Sequence, residues 1–375
     1  MSYAPFPIVD ISGAPFDRGR TYGAAAASRI KASVRLYAEQ MKRLSFTADE
    51  VRGIVAGFLP SMRDFAPDLA EEMRGIAAGA DCSFDEIALV NARTEVVQIG
   101  RRRAPGGSRD SDACTGVVVM PEAAKDRQLI HAQNWDWRPD CVDTSIVLRI
   151  RREDGPSILT FTEAGGLARS GLNSVGLAIT ANYLESDRDF RELGIPLPLI
   201  RRRYLESAHF AEGIETVATT PKSGSNNMIL STAAGLAIDF ECAPDESFAI
   251  YPQDGLIAHA NHWTCPSALA KLKDTGISGV ADSFYRDYRV RHLLTPKAGH
   301  ITIEDVKAAL FDNFGTPYAV CRPPHAAPGS SMSATVAMIA MQPALGQMQV
   351  APMPAHNNRF TNYSLKVEST VRAVA

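Results

Sequence analysis

The spacing of hydrophobic and polar residues changes once along this chain, at about residue 114. Before that point, long stretches are rich in alanine, leucine, arginine and lysine, a composition that favours helices. After that point, short apolar runs are separated by turn-forming residues, which favours strands. We therefore predict a helical leader followed by a β-rich body. The predicted leader helices are residues 22–44, 48–58, 69–78 and 84–97.

The body is predicted to contain many short strands and a few helices. Residues 232–235 (Thr-Ala-Ala-Gly) are typical of a hairpin turn between two strands. No internal repeat and no low-complexity tract interrupts the pattern. The predicted strands are 115–120, 128–132, 145–150, 157–162, 177–181, 227–231, 236–241, 248–251, 256–260, 333–341 and 347–351, and the predicted helices are 199–208, 283–294 and 302–314.

The boundary between leader and body falls in a predicted loop. Residues 104–108 (Ala-Pro-Gly-Gly-Ser) break helices, and small and charged residues continue to Asp112, so we expect an exposed loop. This divides the chain into a leader, residues 1–113, and a body, residues 114–375. The apolar leader helices need the body to pack on, so the two parts are expected to stay associated.

Composition narrows the expected partners. The chain has 375 residues, 45% of them hydrophobic, and a net charge of −3, which gives no reason to expect nucleic acid or an anionic membrane. No stretch reaches the roughly 18 apolar residues of a membrane span. The start lacks the pattern of a secretory signal, so we expect a cytoplasmic protein. The six cysteines are scattered without a CxxC pair, which favours neither a zinc site nor a disulfide framework.

One cysteine stands directly after the predicted loop and opens a predicted strand. It is Cys114, within residues 112–116 (Asp-Ala-Cys-Thr-Gly). It could be an ordinary buried thiol, or a nucleophile that attacks the carbonyl of the small residue before it. In the second case hydrolysis of the resulting thioester frees an α-amino group on Cys114. That amine, with an ordinary pKa of about 7.7–8.0, can then accept the thiol proton.

A second polar segment strengthens the nucleophile hypothesis. Residues 133–137 (Gln-Asn-Trp-Asp-Trp) follow the predicted strand 128–132. A hairpin from Cys114 would bring Asp136 beside the strand start, where a carboxylate can orient the new amine. The alternative interpretation is a turn with a packed indole.

Together these motifs resemble the acyl-coenzyme A:6-aminopenicillanic acid acyltransferase family, whose members are self-processing N-terminal-nucleophile (Ntn) hydrolases. The resemblance begins at residues 113–115 (Ala-Cys-Thr) and 133–137, and it extends over almost the whole chain. No single segment is decisive, but their order and spacing together are specific. The other matching segments are residues 13–23, 71–80, 85–95, 163–166, 171–178, 259–263 and 282–286.

The resemblance implies a fold and a set of site residues. The fold is α+β, a four-layer αββα sandwich of two antiparallel sheets between helices. Self-cleavage falls between Ala113 and Cys114, and Cys114 is the nucleophile. The resemblance also implies roles for four polar residues: Asp136 contacts the new amine, Asn261 holds that amine or forms the oxyanion hole, Asn182 is a further oxyanion donor, and Arg286 lies near the nucleophile.

Two residues depart from the family pattern. Residue 113 is alanine where the best-known members have glycine, and alanine restricts the backbone more, so self-cleavage could be slower. Residue 133 is glutamine where bile-salt and penicillin V amidase relatives carry arginine. This difference favours the acyltransferase branch.

We therefore predict a self-processing cysteine amidohydrolase that cleaves a small N-acyl amide through a thioester. One alternative is an acyltransferase that passes the acyl group to an amine, and another is a non-catalytic protein that binds acyl compounds. No HExxH or other spaced ligand set is found, so neither a metal nor a cofactor is expected. The expected partners are a small N-acyl substrate and the chain's own second fragment. Formation of a homo-oligomer is compatible with the sequence.

Overall fold

The computed structural model describes residues 3–103, 113–326 and 332–368. The loop predicted at 104–112 lies outside the described residues. Residues 3–103 of the leader form one strand and six helices. These are β1 (Ile8–Ser12), α1 (Pro15–Ala25), α2 (Ala27–Arg43), α3 (Ala48–Phe65), α4 (Pro67–Ala80), α5 (Phe84–Asn91) and α6 (Arg93–Arg103).

The body alternates strands with helices. Its strands are β2 (Ala113–Val119), β3 (Ile130–Trp137), β4 (Ser145–Arg151), β5 (Ile158–Glu163), β6 (Ser170–Asn173), β7 (Leu177–Tyr183), β8 (Asn226–Thr232), β9 (Leu236–Cys242), β10 (Ser247–Ile250), β11 (Leu256–His259), β12 (His325–Ala326), β13 (Met332–Gln342), β14 (Gln347–Pro352) and β15 (Thr361–Ser364). Its helices are α7 (Leu197–Glu206), α8 (Phe210–Thr219), α9 (Pro266–Leu269), α10 (Ser283–Leu294) and α11 (Ile303–Leu310).

The strands form two sheets that face each other. The first has the order β1-β4-β5-β6-β7-β8-β9-β10, and the second has the order β11-β2-β3-β13-β14-β15, with β12 on β13. Strands β2 and β3 pack against β7 across the space between the sheets. Helices α7 and α8 pack on the first sheet, and α10 and α11 pack on the second. The order helix, sheet, sheet, helix confirms the predicted αββα sandwich.

Strand β2 sends alternate side chains to opposite faces of its sheet. Val117 and Val119 pack with α10 and α11 in one apolar cluster. Val118 packs instead with Ile229 of the opposite sheet. Because side chains alternate, Cys114 lies on the same face as Val118, toward the space between the sheets.

Helices α1 and α4 cross at a contact that only glycine permits. A Cβ atom at Gly19 would lie 2.1 Å from the carbonyl oxygen of Glu72, and one at Gly75 would lie 2.1 Å from that of Phe16. Such distances are far inside van der Waals contact. The glycines of segments 13–23 and 71–80 therefore let the two helix backbones touch.

The leader differs from the prediction in three places. The predicted helix 84–97 is two helices, because the chain turns at Ala92, and the predicted helix 22–44 crosses a similar turn at Ala26. The leader also contributes β1, which runs parallel to β4 at the edge of the first sheet. With five residues and two buried side chains, β1 is too short to give a clear alternating pattern.

In the body, α8 was missed by the sequence prediction. It contains one glycine and two threonines, which are weak helix formers. Tertiary packing stabilises this helix despite its low intrinsic propensity. A Cβ atom at Gly213 would lie 2.7 Å from the ring of Tyr204, so the glycine lets α8 pack closely on that ring.

Candidate active site

Strands β2 and β3 form an antiparallel pair that organises the site. Cys114 is opposite Trp135, and Ala113 is opposite Asp136. Residues directly opposite each other share a face of the sheet. Cys114 and Trp135 therefore face the space between the sheets, whereas Ala113 and Asp136 face the helices on the other side. The predicted hairpin is confirmed, with Asp136 beside the residue before Cys114.

The backbone of Cys114 is held from both sides. Its N–H donates to Oδ1 of Asn261 at 2.7 Å, and its carbonyl oxygen accepts from Nη1 of Arg286 at 2.6 Å. Arg286 also donates to Oδ1 of Asn261 at 2.9 Å and to the hydroxyl of Thr115 at 2.8 Å. All four residues are buried, so Asn261 and Arg286 fix the backbone around the thiol without competition from water.

Two asparagine amides at the site keep donor capacity. Nδ2 of Asn261 donates to the carbonyl oxygen of Tyr183 at 2.9 Å, and Nδ2 of Asn182 donates to that of His259 at 2.9 Å. Each amide nitrogen carries two hydrogens, so one bond leaves one hydrogen for another acceptor. A Cβ atom at Gly116 would lie 3.7 Å from Nδ2 of Asn182, which places that amide on the thiol's face of β2.

Asp136 lies in a buried, positively charged environment. Its Oδ1 accepts a 2.6 Å hydrogen bond from Thr335, and its Oδ2 lies 3.3 Å from Nε of Arg322. Burial raises the pKa of Asp136 to about 6, against the opposing charges of Arg322 and Arg286. Oδ2 accepts no hydrogen bond within the described ranges. The carboxyl group therefore has an acceptor position available on the face of Ala113.

A second carboxylate links the two arginines of the site. Asp282, just before α10, accepts from Nε of Arg286 at 2.8 Å and also pairs with Arg322. Burial opposes ionisation of Asp282, but the two arginine charges outweigh it and lower its pKa. Asp282 thereby orients the Arg286 side chain that holds Asn261.

The sequence prediction missed Asp282, Arg322 and Thr335 as site residues. The spacing of four between Asp282 and Arg286 at a helix start could have indicated an ion pair. Arg322 lies in an irregular segment, and Thr335 lies in a strand that is distant in sequence. No local pattern marks either residue.

His259, two residues before Asn261, contacts neighbouring strands. Nε2 of His259 lies 2.8 Å from a carboxylate oxygen of Glu241, and its carbonyl oxygen is the acceptor for Asn182. Burial lowers the pKa of His259, but the charges of Asp239 and Glu241 outweigh it and raise the pKa to about 9. We therefore expect a charged His259 that anchors β11 against β9.

Gln133, the residue that departs from the amidase pattern, bridges the two sheets. Its Nε2 donates to the carbonyl oxygen of Ala181 at 2.6 Å and to Oδ1 of Asn182 at 2.8 Å. Its Oε1 accepts from Ser170 at 2.7 Å. Gln133 thus orients the Asn182 amide so that its nitrogen lies toward the thiol's face.

Within residues 3–103, 113–326 and 332–368, no group of three histidine, cysteine, aspartate or glutamate side chains is placed to hold a metal ion. Within the same residues no helix is both long enough and apolar enough to cross a membrane.

A four-layer αββα sandwich with two facing sheets is the fold of the Ntn hydrolases. The family described as acyl-coenzyme A:6-aminopenicillanic acid acyl-transferase matches residues 123–353, and the chain belongs to this family. A curated relative is the 40 kDa form of acyl-coenzyme A:6-aminopenicillanic-acid-acyltransferase from Emericella nidulans. It is 28% identical over 320 residues, which cover 84% of each chain.

Three solved structures are similar to this chain at lower sequence identity. The Caenorhabditis elegans N-acylethanolamine-hydrolyzing acid amidase ortholog has a TM-score of 0.46 and 14% identity, covering 67% of this chain and 100% of that chain. A variant of conjugated bile acid hydrolase from Clostridium perfringens has a TM-score of 0.47 and 13% identity, covering 68% and 93%. Penicillin V acylase from Agrobacterium tumefaciens has a TM-score of 0.41 and 14% identity, covering 68% and 89%.

Proposed function

We propose that the protein is a self-processing cysteine amidohydrolase, in which Cys114 first cleaves the chain and then cleaves a small N-acyl amide. The observation that carries the proposal is the position of Cys114. It lies at a strand start, its nitrogen is held by Asn261, and Asp136 is placed opposite Ala113. Family membership supports an enzyme that handles acyl groups.

Maturation uses the thiol as an internal nucleophile. Sγ of Cys114 attacks the carbonyl carbon of Ala113, and the amide nitrogen of Cys114 leaves after it takes up a proton. The resulting thioester is hydrolysed by water, which releases the carboxylate of Ala113 and regenerates the thiol. Cys114 then carries a free α-amino group, and we propose that Oδ2 of Asp136 accepts a hydrogen bond from it.

Turnover repeats the same chemistry on a substrate. The α-amino group accepts the thiol proton, the thiolate attacks the substrate carbonyl, and the proton passes to the leaving amine. The remaining amide hydrogens of Asn182 and Asn261 are the candidate donors to the oxyanion. Loss of one such donor commonly costs roughly 3–4 kcal/mol of transition-state stabilisation. Arg286 acts through Asn261, as a positioning residue.

The name of the curated relative favours a second candidate, an acyltransferase in which an amine replaces water in the second step. Both activities share the thioester. The two are separated by adding 6-aminopenicillanic acid or another amine to a hydrolysis assay. The ratio of free acid to new amide measures which acceptor the thioester prefers. A product mixture without new amide at any amine concentration supports the hydrolase.

Replacement of Cys114 tests the proposal directly. Cys114→Ala should block self-cleavage and the hydrolysis of N-acyl p-nitroanilides, because no thiol remains to attack either carbonyl. Cys114→Ser should process slowly and turn over poorly, since a hydroxyl is the weaker nucleophile. Cys265→Ala, which removes another buried thiol, is the control and should keep both activities. If Cys114→Ala hydrolysed N-acyl p-nitroanilides at the wild-type rate, the proposal would be ruled out.

A further inference from the structure

Four arginine side chains from three parts of the chain gather on the thiol's side of β2 and β3. We call them the arginine cluster. Arg93 and Arg101 lie on α6, Arg169 lies just before β6, and Arg201 lies on α7. The first two and Arg201 are buried, with 3%, 5% and 6% of their surface exposed. Arg93 pairs with Glu163 at 3.0 Å. For Arg101 and Arg201, burial at this level is unusual unless an anion accompanies the guanidinium group.

Two tryptophans connect the arginine cluster to Cys114. The guanidinium carbon of Arg169 lies 4.2 Å from the centre of the Trp135 ring, and Trp135 is opposite Cys114. The guanidinium carbons of Arg93 and Arg101 lie 4.8 Å and 5.7 Å from the centre of the Trp137 ring. Trp137 shares the face of Trp135, because the two are separated by two positions in β3. The cluster therefore lies next to the candidate nucleophile.

Two members of the cluster have hydrogen-bond donors without acceptors. Nε of Arg201 and Nη1 of Arg101 are buried and donate to nothing in the described ranges. The adjacent Arg202 shows the contrast, since it pairs with Glu72 at 2.8 Å and with Glu206 at 3.0 Å. A buried guanidinium without an anion is energetically unfavourable. The fold therefore provides carboxylate acceptors for Arg202, whereas Arg201 and Arg101 each keep a donor available for a ligand.

The charge around Arg201 supports the same interpretation. Burial lowers the pKa of Arg201 to about 9, and the positive charges of Arg169 and Arg93 act in the same direction. The charge of Glu95 opposes them, as would a thiolate at Cys114. An added anion would relieve this excess of positive charge.

Further unused polar atoms lie close by. The hydroxyl of Tyr183 is buried and has no hydrogen-bond partner among the described residues, and the carbonyl oxygen of Tyr183 is bonded to Asn261. Glu95, which precedes Arg101 on α6, keeps one carboxylate oxygen unbonded in the same ranges. Its charge offsets part of the cluster, so a singly charged anion fits better than a doubly charged phosphate.

We propose that the arginine cluster binds a carboxylate of the substrate, so that the amides this enzyme prefers carry a carboxylate group. Arg201 and Arg101 supply the donors, and the Trp135 and Trp137 rings bound the site. The proposal rests on the proposed function of Cys114 and adds a substrate class to it. The carboxylate could belong to the acyl part or to the amine part of the amide.

A matched pair of alkylating reagents tests the proposal without knowledge of the substrate. Iodoacetate and iodoacetamide both transfer a two-carbon group to a thiolate with loss of iodide, and they differ in a carboxylate against a carboxamide. We expect Cys114 in the native full-length protein to react faster with iodoacetate, relative to iodoacetamide, than glutathione does. Peptide mass mapping gives both rates at Cys114.

Replacement of one arginine should remove this preference. Arg201→Met keeps an apolar side chain of similar length, and the iodoacetate-to-iodoacetamide ratio at Cys114 should fall by about tenfold, as expected for loss of a charge-assisted hydrogen bond. The exposed Arg103→Met is the control and should leave the ratio unchanged. Arg101→Met is a second variant in case Arg201→Met folds poorly, and the ratio within one variant cancels differences in folded fraction.

The outcomes separate the two proposals. An unchanged ratio in both Arg201→Met and Arg101→Met would overturn the carboxylate site and leave the role of Cys114 intact. Failure of both reagents to label Cys114 in the native protein would contradict the proposed function, and the carboxylate site with it. If the ratio falls as expected, two substrate pairs locate the carboxylate: glutaryl against pentanoyl p-nitroanilide, and hexanoylglycine against hexanoylglycinamide.

Discussion

At the scale of single residues, Asn261 makes the contact on which the site depends most. Its Oδ1 accepts from both the nitrogen of Cys114 and Arg286, and its backbone N–H donates to the hydroxyl of Ser283 at 2.6 Å. One side chain thus joins the nucleophile strand to α10. In the proposed processed form, the same oxygen would accept a hydrogen bond from the new amine.

Removal of the Asn261 side chain should reduce catalysis much more than folding. Asn261→Ala removes both the acceptor for the Cys114 nitrogen and a candidate oxyanion donor, so kcat/KM should fall by roughly 100-fold or more. Asn173→Ala is the control: Asn173 is also buried, but it bonds the carbonyl oxygens of Leu205 and Ser207. It should lower the melting temperature and keep the turnover of the folded protein. Near-normal turnover by folded Asn261→Ala would exclude the role.

Asp136 should make the free energy of unfolding depend on pH, and replacement of Asp136 should remove that dependence. Its folded pKa of about 6 lies above the ordinary value of 3.8. The folded state therefore keeps the proton that the unfolded state releases, and stability from this group is lost as pH rises from about 4 to 6. The Cys114→Ala background keeps the chain uncleaved, as in the structure. In that background the protein with Asp136 should lose roughly 2–3 kcal/mol of unfolding free energy over that range, relative to the protein with Asp136→Asn.

Urea unfolding of both proteins at pH 4 and pH 7 measures this difference. In Asp136→Asn, Arg322 faces a neutral amide at both pH values. The variant is therefore a reference in which residue 136 does not titrate. A difference between the two uncleaved proteins that does not change with pH would contradict a raised pKa for Asp136.

The residues of the site differ in how far the sequence could predict them. Cys114 and Asp136 are marked by short motifs on two strands, and their pairing follows from a simple hairpin. Arg322 and Thr335 reach Asp136 only because a distant loop and β13 fold back onto β3. Tertiary contacts of this kind leave no trace in local spacing.

At the scale of elements, the contact between α1 and α4 positions the leader. The tight crossing at Gly19 and Gly75 brings the two backbones together. On the same helix α1, the hydroxyl of Tyr22 accepts from the N–H of Gly165 at 2.9 Å and donates to the carbonyl oxygen of Gly166 at 3.1 Å. Helix α1 therefore connects the leader to the loop after β5.

A matched pair of glycine replacements tests this crossing. Gly19→Ala places a methyl group 2.1 Å from a backbone oxygen, so the helices must separate and several kcal/mol of stability should be lost, on the order of 3 kcal/mol. Gly53→Ala has nothing within 4 Å of the new methyl group and should stabilise α3 by up to about 1 kcal/mol. Thermal unfolding compares them, and equal melting temperatures would refute the close contact.

Element boundaries show where sequence prediction fails. The leader helices were predicted in kind, but α5 and α6 were joined because the turn at Ala92 uses no glycine or proline. Strand β1 was missed because its five residues are too few to give a clear alternating pattern. The glycines of α1 and α4, in contrast, are visible in the sequence, and the structure supplies their physical reason.

At the scale of the whole molecule, the leader and the body share one core. The largest apolar cluster contains side chains of α1 to α6 together with those of β3 to β8. Strand β1 completes the first sheet from the leader side. We therefore propose that residues 1–113 and 114–375 stay together after cleavage. Gel filtration without denaturant should give one species, and separation of the fragments without denaturant would contradict this.

The central claim is that Cys114 cleaves the chain before itself, and intact mass under denaturing conditions tests it most directly. Purified wild-type protein should give two masses, those of residues 1–113 and 114–375, with Cys114 as the new N-terminus. Cys114→Ala should give the single mass of the 375-residue chain. A wild-type protein that hydrolyses N-acyl amides while showing only the full-length mass would contradict the account.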